Sequence, residues 1–132
     1  MPNNVDVLRH IREHCIDIIE AVDRFGDNYE LFQNDKHYKN AVSMSILQIG
    51  ELAGSLSEDY RLHTQGSIPW KQIRGMRNII AHNYGAVTAK KIWDTICSDI
   101  PALKNFCDEQ ILMYEDLGQP TIQYENEDEW EP

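Results

Sequence analysis

Apolar residues recur at steps of three and four along nearly all of the chain between residues 4 and 114, and no useful length of it alternates apolar with polar residues. This spacing places apolar side chains on one face of a helix, whereas a half-buried strand would need strict alternation. The sequence therefore predicts an all-α protein, an antiparallel bundle of four main helices with short helical segments. At 132 residues, it is expected to form one domain around a single core.

Capping and helix-breaking residues set the expected limits of these helices. The four main helices are predicted over residues 4–24, 35–56, 69–85 and 87–114, with a stop at Gly26, a short helix after Asn28 and a kink or restart at Pro101. Residues 57–68 are interpreted as a polar connection. Small side chains in the second main helix, Ala53 and Gly54 among them, predict the close approach of another helix.

The charges are distributed unevenly along the chain. The 12 Lys and Arg residues against 22 Asp and Glu give a net charge of −10, of which the seven acids after Met113 supply all but −3. Residues 1–114 are therefore assigned to the helical domain, and residues 115–132 to an acidic, disordered tail.

No acid lies between Asp59 and Asp94, an interval that contains six basic residues and two histidines. A local positive surface is typical of a site that binds phosphates. The alternative is a solvated helix face from which acids happen to be missing.

Several classes of protein are disfavoured by composition. No segment approaches the ~20 apolar residues of a membrane span, and the first residues lack the basic and apolar parts of a signal peptide, so a cytoplasmic location is expected. Three widely spaced cysteines in apolar contexts are interpreted as core residues in a reducing compartment: Cys15, Cys97 and Cys107.

A pattern found in some zinc peptidases is formed by His10, Glu13 and His14. These residues lie away from the apolar face of the first helix, and no third ligand stands out. We therefore predict no metal site.

The third main helix contains the residues best suited to chemistry. In helical projection, one arc of about 140° contains Arg74, Arg77, Asn78 and His82, and the other side of the helix is apolar. Arginine can hold a phosphate at any biological pH, and histidine exchanges a proton near neutrality. These are two of the parts needed to break a phosphodiester without a metal. The competing interpretation is an exposed polar face with a histidine favoured by the helix macrodipole.

Residues 69–85 resemble the signature of HEPN-domain proteins of the HepT type, in the sequence PWKQIRGMRNIIAHNYG. The motif of that family is Arg, a polar residue, three others, His, any residue and Tyr, and it is filled here by Arg77, Asn78, His82 and Tyr84. The layout of helices over residues 4–114 is similar as well, whereas the acidic tail is not part of the resemblance.

The resemblance implies the toxin of a type VII-like toxin–antitoxin pair, a homodimeric ribonuclease that needs no metal or cofactor. It implies that Arg77 and His82 are catalytic and that Asn78 supports them. Its partner would be a minimal nucleotidyltransferase antitoxin that transfers AMP from ATP to Tyr84. Lys71 and Arg74 are expected to hold flanking phosphates of the RNA, with tRNA as a candidate substrate.

Two other classes of function remain open. One is a non-catalytic HEPN module that binds nucleotides or supports a nucleotidyltransferase, and the other is a structural helical partner protein. The presence of both Arg77 and His82 favours the nuclease, because a binding module could dispense with the histidine. The acid-free interval argues against a purely structural role.

Overall fold

The computed structural model describes residues 3–83 and 89–118, and within these ranges the chain is helical and contains no strand. Its elements are α1 (Asn4–Phe25), α2 (Tyr29–Asn34), α3 (Lys36–Ser55), α4 (Glu58–Thr64), α5 (Trp70–Asn83), α6 (Ala89–Asp94), a π-helical turn (Thr95–Asp99) and α7 (Ile100–Gly118). Helix α1 packs against both α3 and α7, and α3 packs against α5. The predicted all-α fold is confirmed.

The core lies where the apolar faces of the long helices meet. Its buried side chains include Leu8, Ile11, Cys15 and Ile18 from α1, Val42, Ile46, Ile49 and Ala53 from α3, Met76 and Ile80 from α5, and Leu103, Phe106 and Cys107 from α7. Removing each large aliphatic side chain from water contributes about 1.5–3 kcal/mol. The three- and four-residue spacing in the sequence therefore marks the faces that hold the bundle together.

A glycine and an aromatic cluster fix the connection that follows α1. Helix α1 ends at Gly26, whose φ of 120° is a conformation that side-chain-bearing residues rarely adopt. The Tyr38 hydroxyl donates a hydrogen bond of 2.9 Å to the Gly26 carbonyl, and its ring contacts those of Phe25 and Phe32. The predicted stop at Gly26 is confirmed, as are the caps at Asn28 and Asp35.

Helix α4 lies within the segment that the sequence indicated to be a polar connection. Ser57 caps it by accepting a hydrogen bond of 3.2 Å from the Tyr60 backbone N–H, and two acids occupy its first turn. The prediction that residues 57–68 form only a polar connection is wrong, since they contain this helix. No side chain of α4 is buried, so the helix produces no apolar periodicity in the sequence.

Arg61, on α4, is a structural residue of the acid-free interval. Its Nη1 atom donates to the carbonyl oxygens of Ala53, Gly54 and Leu56, at 3.1, 3.3 and 2.7 Å. These carbonyls lie at the end of α3, where backbone acceptors lack partners within the helix. Arg61 therefore closes α3 and ties α4 to it.

The predicted restart at Pro101 takes the form of the π-helical turn that immediately precedes α7. Ile96 within this turn and Ile100 directly after it are buried, and Cys97 is exposed. The prediction that all three cysteines are core residues is therefore correct for Cys15 and Cys107 and wrong for Cys97.

Helix α7 extends to Gly118, four residues beyond its predicted end. Glu115, which was assigned to the tail, accepts a hydrogen bond of 2.8 Å from Arg9 on α1. Leu112, in this part of α7, is 61% exposed. Residues 119–132 of the predicted tail lie outside the described residues. Within the described ranges, no helix is both long enough and apolar enough to cross a membrane.

Candidate functional site

Helix α5 presents its two faces as the helical projection predicts. Met76 and Ile80 are buried against the bundle, whereas Arg74, Asn78 and His82 are exposed on the other side. Only Arg77 departs from this division, since its side chain is 28% exposed and lies against α3.

Helices α3 and α5 approach each other closely at Gly50 and Arg77. A Cβ atom placed on Gly50 would lie 2.1 Å from Cβ and 2.7 Å from Cγ of Arg77. The next glycine along α3, Gly54, lies beside the Arg74 guanidinium. The predicted close approach to α3 is therefore present, and glycine at position 50 allows the base of the Arg77 side chain to rest on the α3 backbone.

The Arg77 guanidinium is held by two side chains. Its Nη2 atom lies 2.7 Å from Glu51 Oε1 and 3.1 Å from Glu51 Oε2, and its Nη1 atom donates a hydrogen bond of 2.8 Å to Asn78 Oδ1. Its Nε atom is buried without a hydrogen-bond partner among the described residues. The supporting role expected of Asn78 thus corresponds to a direct contact with Arg77.

Glu51 was not identified from the sequence, although a signal was present. It is the only acid in the twenty residues of α3, and it directly follows the glycine at the close contact with α5. A lone acid on a helix expected to pack against an arginine-bearing helix is a candidate for pairing with that arginine.

His82 lies near the end of the described part of α5, with an exposed side chain. Among the described residues it has no hydrogen-bond or ion-pair partner, so none of them occupies a ring nitrogen of His82. Tyr84, predicted as the modified residue, lies outside the described residues.

An open groove of 740 Å³ runs between α4 and α5, and Lys71, Arg74 and Asn78 contribute to its lining. Lys71 and Arg74 are exposed and have no ion-pair partner in residues 3–83 and 89–118. Lys90, by contrast, pairs with Asp94 at 2.9 Å. Lys71 and Arg74 therefore present positive charge in this groove, beside the exposed face of α5, and Glu58 of α4 lines it as well.

A second cavity, of 460 Å³, lies on the apolar side of α5. Its apolar lining includes Ile73, Met76 and Ile79 of α5 together with Ile100 and Leu103 of α7. It adjoins the groove between α4 and α5, with Gln72 and Gly75 in the lining of both, and it leaves part of the apolar face of α5 accessible.

The zinc-like pattern on α1 does not assemble a ligand set. His10 Nδ1 lies 3.6 Å from Glu13 Oε1, and both side chains are more than 60% exposed. His14 pairs at 3.8 Å with Asp17. Within the described residues, no three His, Cys, Asp or Glu side chains are grouped so as to hold a metal ion.

Comparison with known proteins identifies relatives over most of the bundle. The sequence model of the family described as ribonuclease HepT-like matches residues 11–110, which include α5. A predicted RNase of Caldanaerobacter subterraneus subsp. tengcongensis is 36% identical over 97 residues, covering 74% of this chain and 84% of that protein. A predicted ribonuclease HepT of Thermococcus cleftensis is 34% identical over 95 residues, covering 70% and 84%. A predicted RNase of Methanocaldococcus jannaschii is 31% identical over 97 residues, covering 74% and 86%. No solved structure matches the chain.

Proposed function

The chain belongs to the HepT-like ribonuclease family, and we propose that it is a metal-independent endoribonuclease in which Arg77 and His82 are the catalytic residues. The observation that carries this proposal is the arrangement on α5. An arginine fixed by Glu51 and Asn78 lies on the helix that lines the groove between α4 and α5. The same helix carries an exposed histidine that has no partner among the described residues.

The proposed reaction uses a nucleophile that RNA itself supplies. The 2′-hydroxyl loses its proton and attacks the adjacent phosphorus, the P–O5′ bond breaks, and the 5′-oxygen takes up a proton. His82 is suited to one of these proton transfers. Arg77 stabilises the negative charge that develops on the phosphate oxygens. The products are a 2′,3′-cyclic phosphate and a free 5′-hydroxyl.

The open groove between α4 and α5, which Lys71 and Arg74 line, gives the RNA backbone a path to Arg77 and His82. Lys71 and Arg74 are exposed in it and have no ion-pair partner within the described residues. Arg74 lies about one helical turn before Asn78 and two before His82, and Lys71 lies one further turn back along α5. We assign to them the phosphates that flank the cleaved bond. Such contacts carry affinity without reading the base sequence.

A homodimer would supply the second proton-transfer group. Along α5, Arg77 and His82 are separated by about 7.5 Å of rise and 140° of rotation, so one chain presents them in different directions. A two-fold axis that brings two copies of α5 together would place two Arg77/His82 pairs in one cleft. The accessible apolar cavity beside Ile73 and Ile79 provides surface on α5 for such an association.

Substitution of the two catalytic residues tests the nuclease. Purified protein is expected to cleave single-stranded RNA in the presence of EDTA, and Arg77→Ala and His82→Ala are each expected to lower kcat by about 10²–10⁴. His63→Ala is the matched control, since His63 is an exposed histidine of the same interval whose Nδ1 lies 2.8 Å from the Asp59 carbonyl. Full activity in His82→Ala, or loss of wild-type activity with EDTA, contradicts the mechanism.

Mixing two inactive variants tests the shared cleft. Co-refolded Arg77→Ala and His82→Ala chains should form mixed dimers that regain part of the activity, because each chain supplies what the other lacks. Light scattering on the wild-type protein provides the independent measurement. A monomer at micromolar concentration, or no regain in verified mixed dimers, excludes the shared site.

We further propose that the nuclease is a toxin in the cytoplasm and that a minimal nucleotidyltransferase antitoxin silences it. The Tyr84 hydroxyl would attack the α-phosphorus of ATP, and pyrophosphate would leave as the phenolic O–P bond forms. Tyr84 follows His82 by two positions, so the added phosphate brings negative charge and bulk next to the catalytic residues. This would repel an RNA phosphate from Arg77.

Mass spectrometry after co-expression with the nucleotidyltransferase tests this regulation. The expected result is one or more AMP additions to the peptide that contains Tyr84, with loss of RNA cleavage. Tyr84→Phe should stay active and unmodified, whereas the control Tyr114→Phe, at an exposed tyrosine of α7, should be modified and silenced like the wild type. Modification of Tyr84→Phe at another tyrosine, with silencing, refutes the assignment.

A further inference from the structure

We propose that Glu51 is a positioning residue for catalysis, which sets the plane and direction of the Arg77 guanidinium from the neighbouring helix. The inference rests on the proposed function, because it concerns how the catalytic arginine is aimed at the RNA phosphate. It adds a residue of α3 to a site that is otherwise built from α5 alone.

The geometry at the base of the side chain explains why an aiming group is needed. Gly50 brings the α3 backbone against Cβ and Cγ of Arg77, which fixes where the side chain starts but not where its end points. Beyond those atoms, an arginine has several rotatable bonds, and a guanidinium without partners would sample many directions. Glu51 is the residue directly after Gly50, so the helix that fixes the base also supplies a group for the tip.

The contacts at the tip restrict the guanidinium at two of its nitrogens. Both carboxylate oxygens of Glu51 meet Nη2, at 2.7 and 3.1 Å, while Asn78 Oδ1 accepts from Nη1 at 2.8 Å. Two partners on two different nitrogens of one rigid plane fix both its direction and its rotation. The buried Nε atom, which lacks a partner among the described residues, shows that this orientation is held despite an unsatisfied donor.

The same contacts leave the arginine able to bind a phosphate. Nη1 carries two N–H bonds and gives one of them to Asn78, so at least one donor remains for an oxygen of the RNA. The Arg77 side chain is 28% exposed, enough for contact with a ligand from the solvent side. Glu51 therefore directs the guanidinium without using all of its donors.

Stability alone does not account for this pair. The Glu51 side chain is 46% exposed, and ion pairs at such exposure contribute little to folding. If the pair mainly orients Arg77, its removal should lower kcat and leave the melting temperature nearly unchanged.

Steady-state cleavage of a fluorogenic RNA in EDTA tests the inference with three variants. Glu51→Ala is expected to lower kcat by about ten-fold or more, with KM within about three-fold, because misplacing a catalytic group costs rate. Glu51→Gln keeps an oxygen acceptor for Nη2 and should recover most of the lost kcat. Glu20→Ala, at an exposed acid of α1, is the control and should match the wild type. An unchanged kcat in Glu51→Ala overturns the inference, as does a lower KM at unchanged kcat, which would identify Glu51 as a competitor of the phosphate.

A second measurement does not depend on activity. Because Nε of Arg77 is buried, its N–H should give a sharp arginine side-chain signal in a ¹⁵N–¹H spectrum, identified by its absence in Arg77→Lys. The signal should broaden in Glu51→Ala and persist in Glu51→Gln and Glu20→Ala. An unaltered signal in Glu51→Ala refutes the positioning role. If the wild-type protein cleaves no RNA, the proposed nuclease function fails, and the spectrum still decides whether Glu51 holds Arg77.

Discussion

Replacing Gly50 by alanine tests whether the α3–α5 contact supports the site. In an open helical position, Gly→Ala stabilises a protein by about 0.5–1 kcal/mol, since alanine is the better helix former. At position 50 the new Cβ would lie 2.1 Å from Cβ of Arg77, whereas carbon atoms in contact prefer about 3.5–4.0 Å. The overlap of roughly 1.5 Å involves a Cβ atom, which no change of rotamer can move. The two helices must therefore separate.

The expected magnitude follows from these opposing effects. Overpacking of this kind costs about 1–3 kcal/mol, which outweighs the gain in helix propensity. Gly50→Ala should thus lower the free energy of unfolding by about 1–2 kcal/mol and the melting temperature by about 3–8 °C. Gly75→Ala is the matched control, because Gly75 lies inside α5 and a Cβ there meets nothing within 4 Å. That variant should be about 0.5–1 kcal/mol more stable than the wild type.

Thermal and urea unfolding of both variants would be followed by circular dichroism, and RNA cleavage would be measured well below the melting temperature. Gly50→Ala should also lose at least about ten-fold in kcat, since the base of Arg77 moves with the helix. If Gly50→Ala were stabilised as much as Gly75→Ala, the close contact between Gly50 and Arg77 would be refuted. A destabilised Gly50→Ala that retained full kcat would refute the link between the contact and the site.

Three further outcomes are expected. Arg61→Ala should lower the free energy of unfolding by about 1–3 kcal/mol at unchanged kcat, because it removes the side-chain donor to the Gly54 and Leu56 carbonyls at the end of α3. A large fall in kcat would instead place Arg61 in the site. Lys71→Ala and Arg74→Ala, made in a cleavage-deficient background, should each reduce the slope of log K against log salt by about 0.7, and an unchanged slope removes that residue from the RNA path. Burial raises the pKa of the Cys107 thiol to about 12 from 9.0 and that of the Tyr60 hydroxyl to about 12 from 10.0. Both groups therefore lose their protons at a lower pH in the unfolded chain than in the folded protein. The free energy of unfolding, measured by urea titration, should be constant below about pH 9 and fall as the pH rises towards 12. A free energy of unfolding that does not change over this range would contradict the burial of these groups.

The sequence was sufficient for the features that burial imposes. The periodicity of α1, α3 and α5 follows from their one-sided burial, and the split of α5 into an apolar face and a face with Asn78 and His82 was predictable for the same reason. Helix α4 was not predictable in this way, because none of its side chains is buried. Cys97 was misplaced because one helical step separates it from the buried Ile96.

The site was predictable to the extent that it lies on one helix. Residues three to five apart on α5 have relative positions set by helix geometry, so the shared face could be derived from spacing. The Glu51–Arg77 contact depends on how α3 and α5 cross, and that crossing depends on Gly50, whose only sequence signal is a missing side chain. Long-range partners of this kind need the three-dimensional arrangement.

The packing of α1 against α7 sets an order of events during synthesis. The apolar face of α1 is covered in part by the last helix of the bundle, and Arg9 of α1 meets Glu115 near the end of α7. The ribosome completes α5 before α7, so a nascent chain carries the motif helix while the face of α1 still lacks its cover. A bundle that closes through contacts between α1 and α7 is complete only after α7 has been synthesised. Each newly made chain therefore passes through an interval in which α3 and α5 already exist but part of the apolar face of α1 is still uncovered.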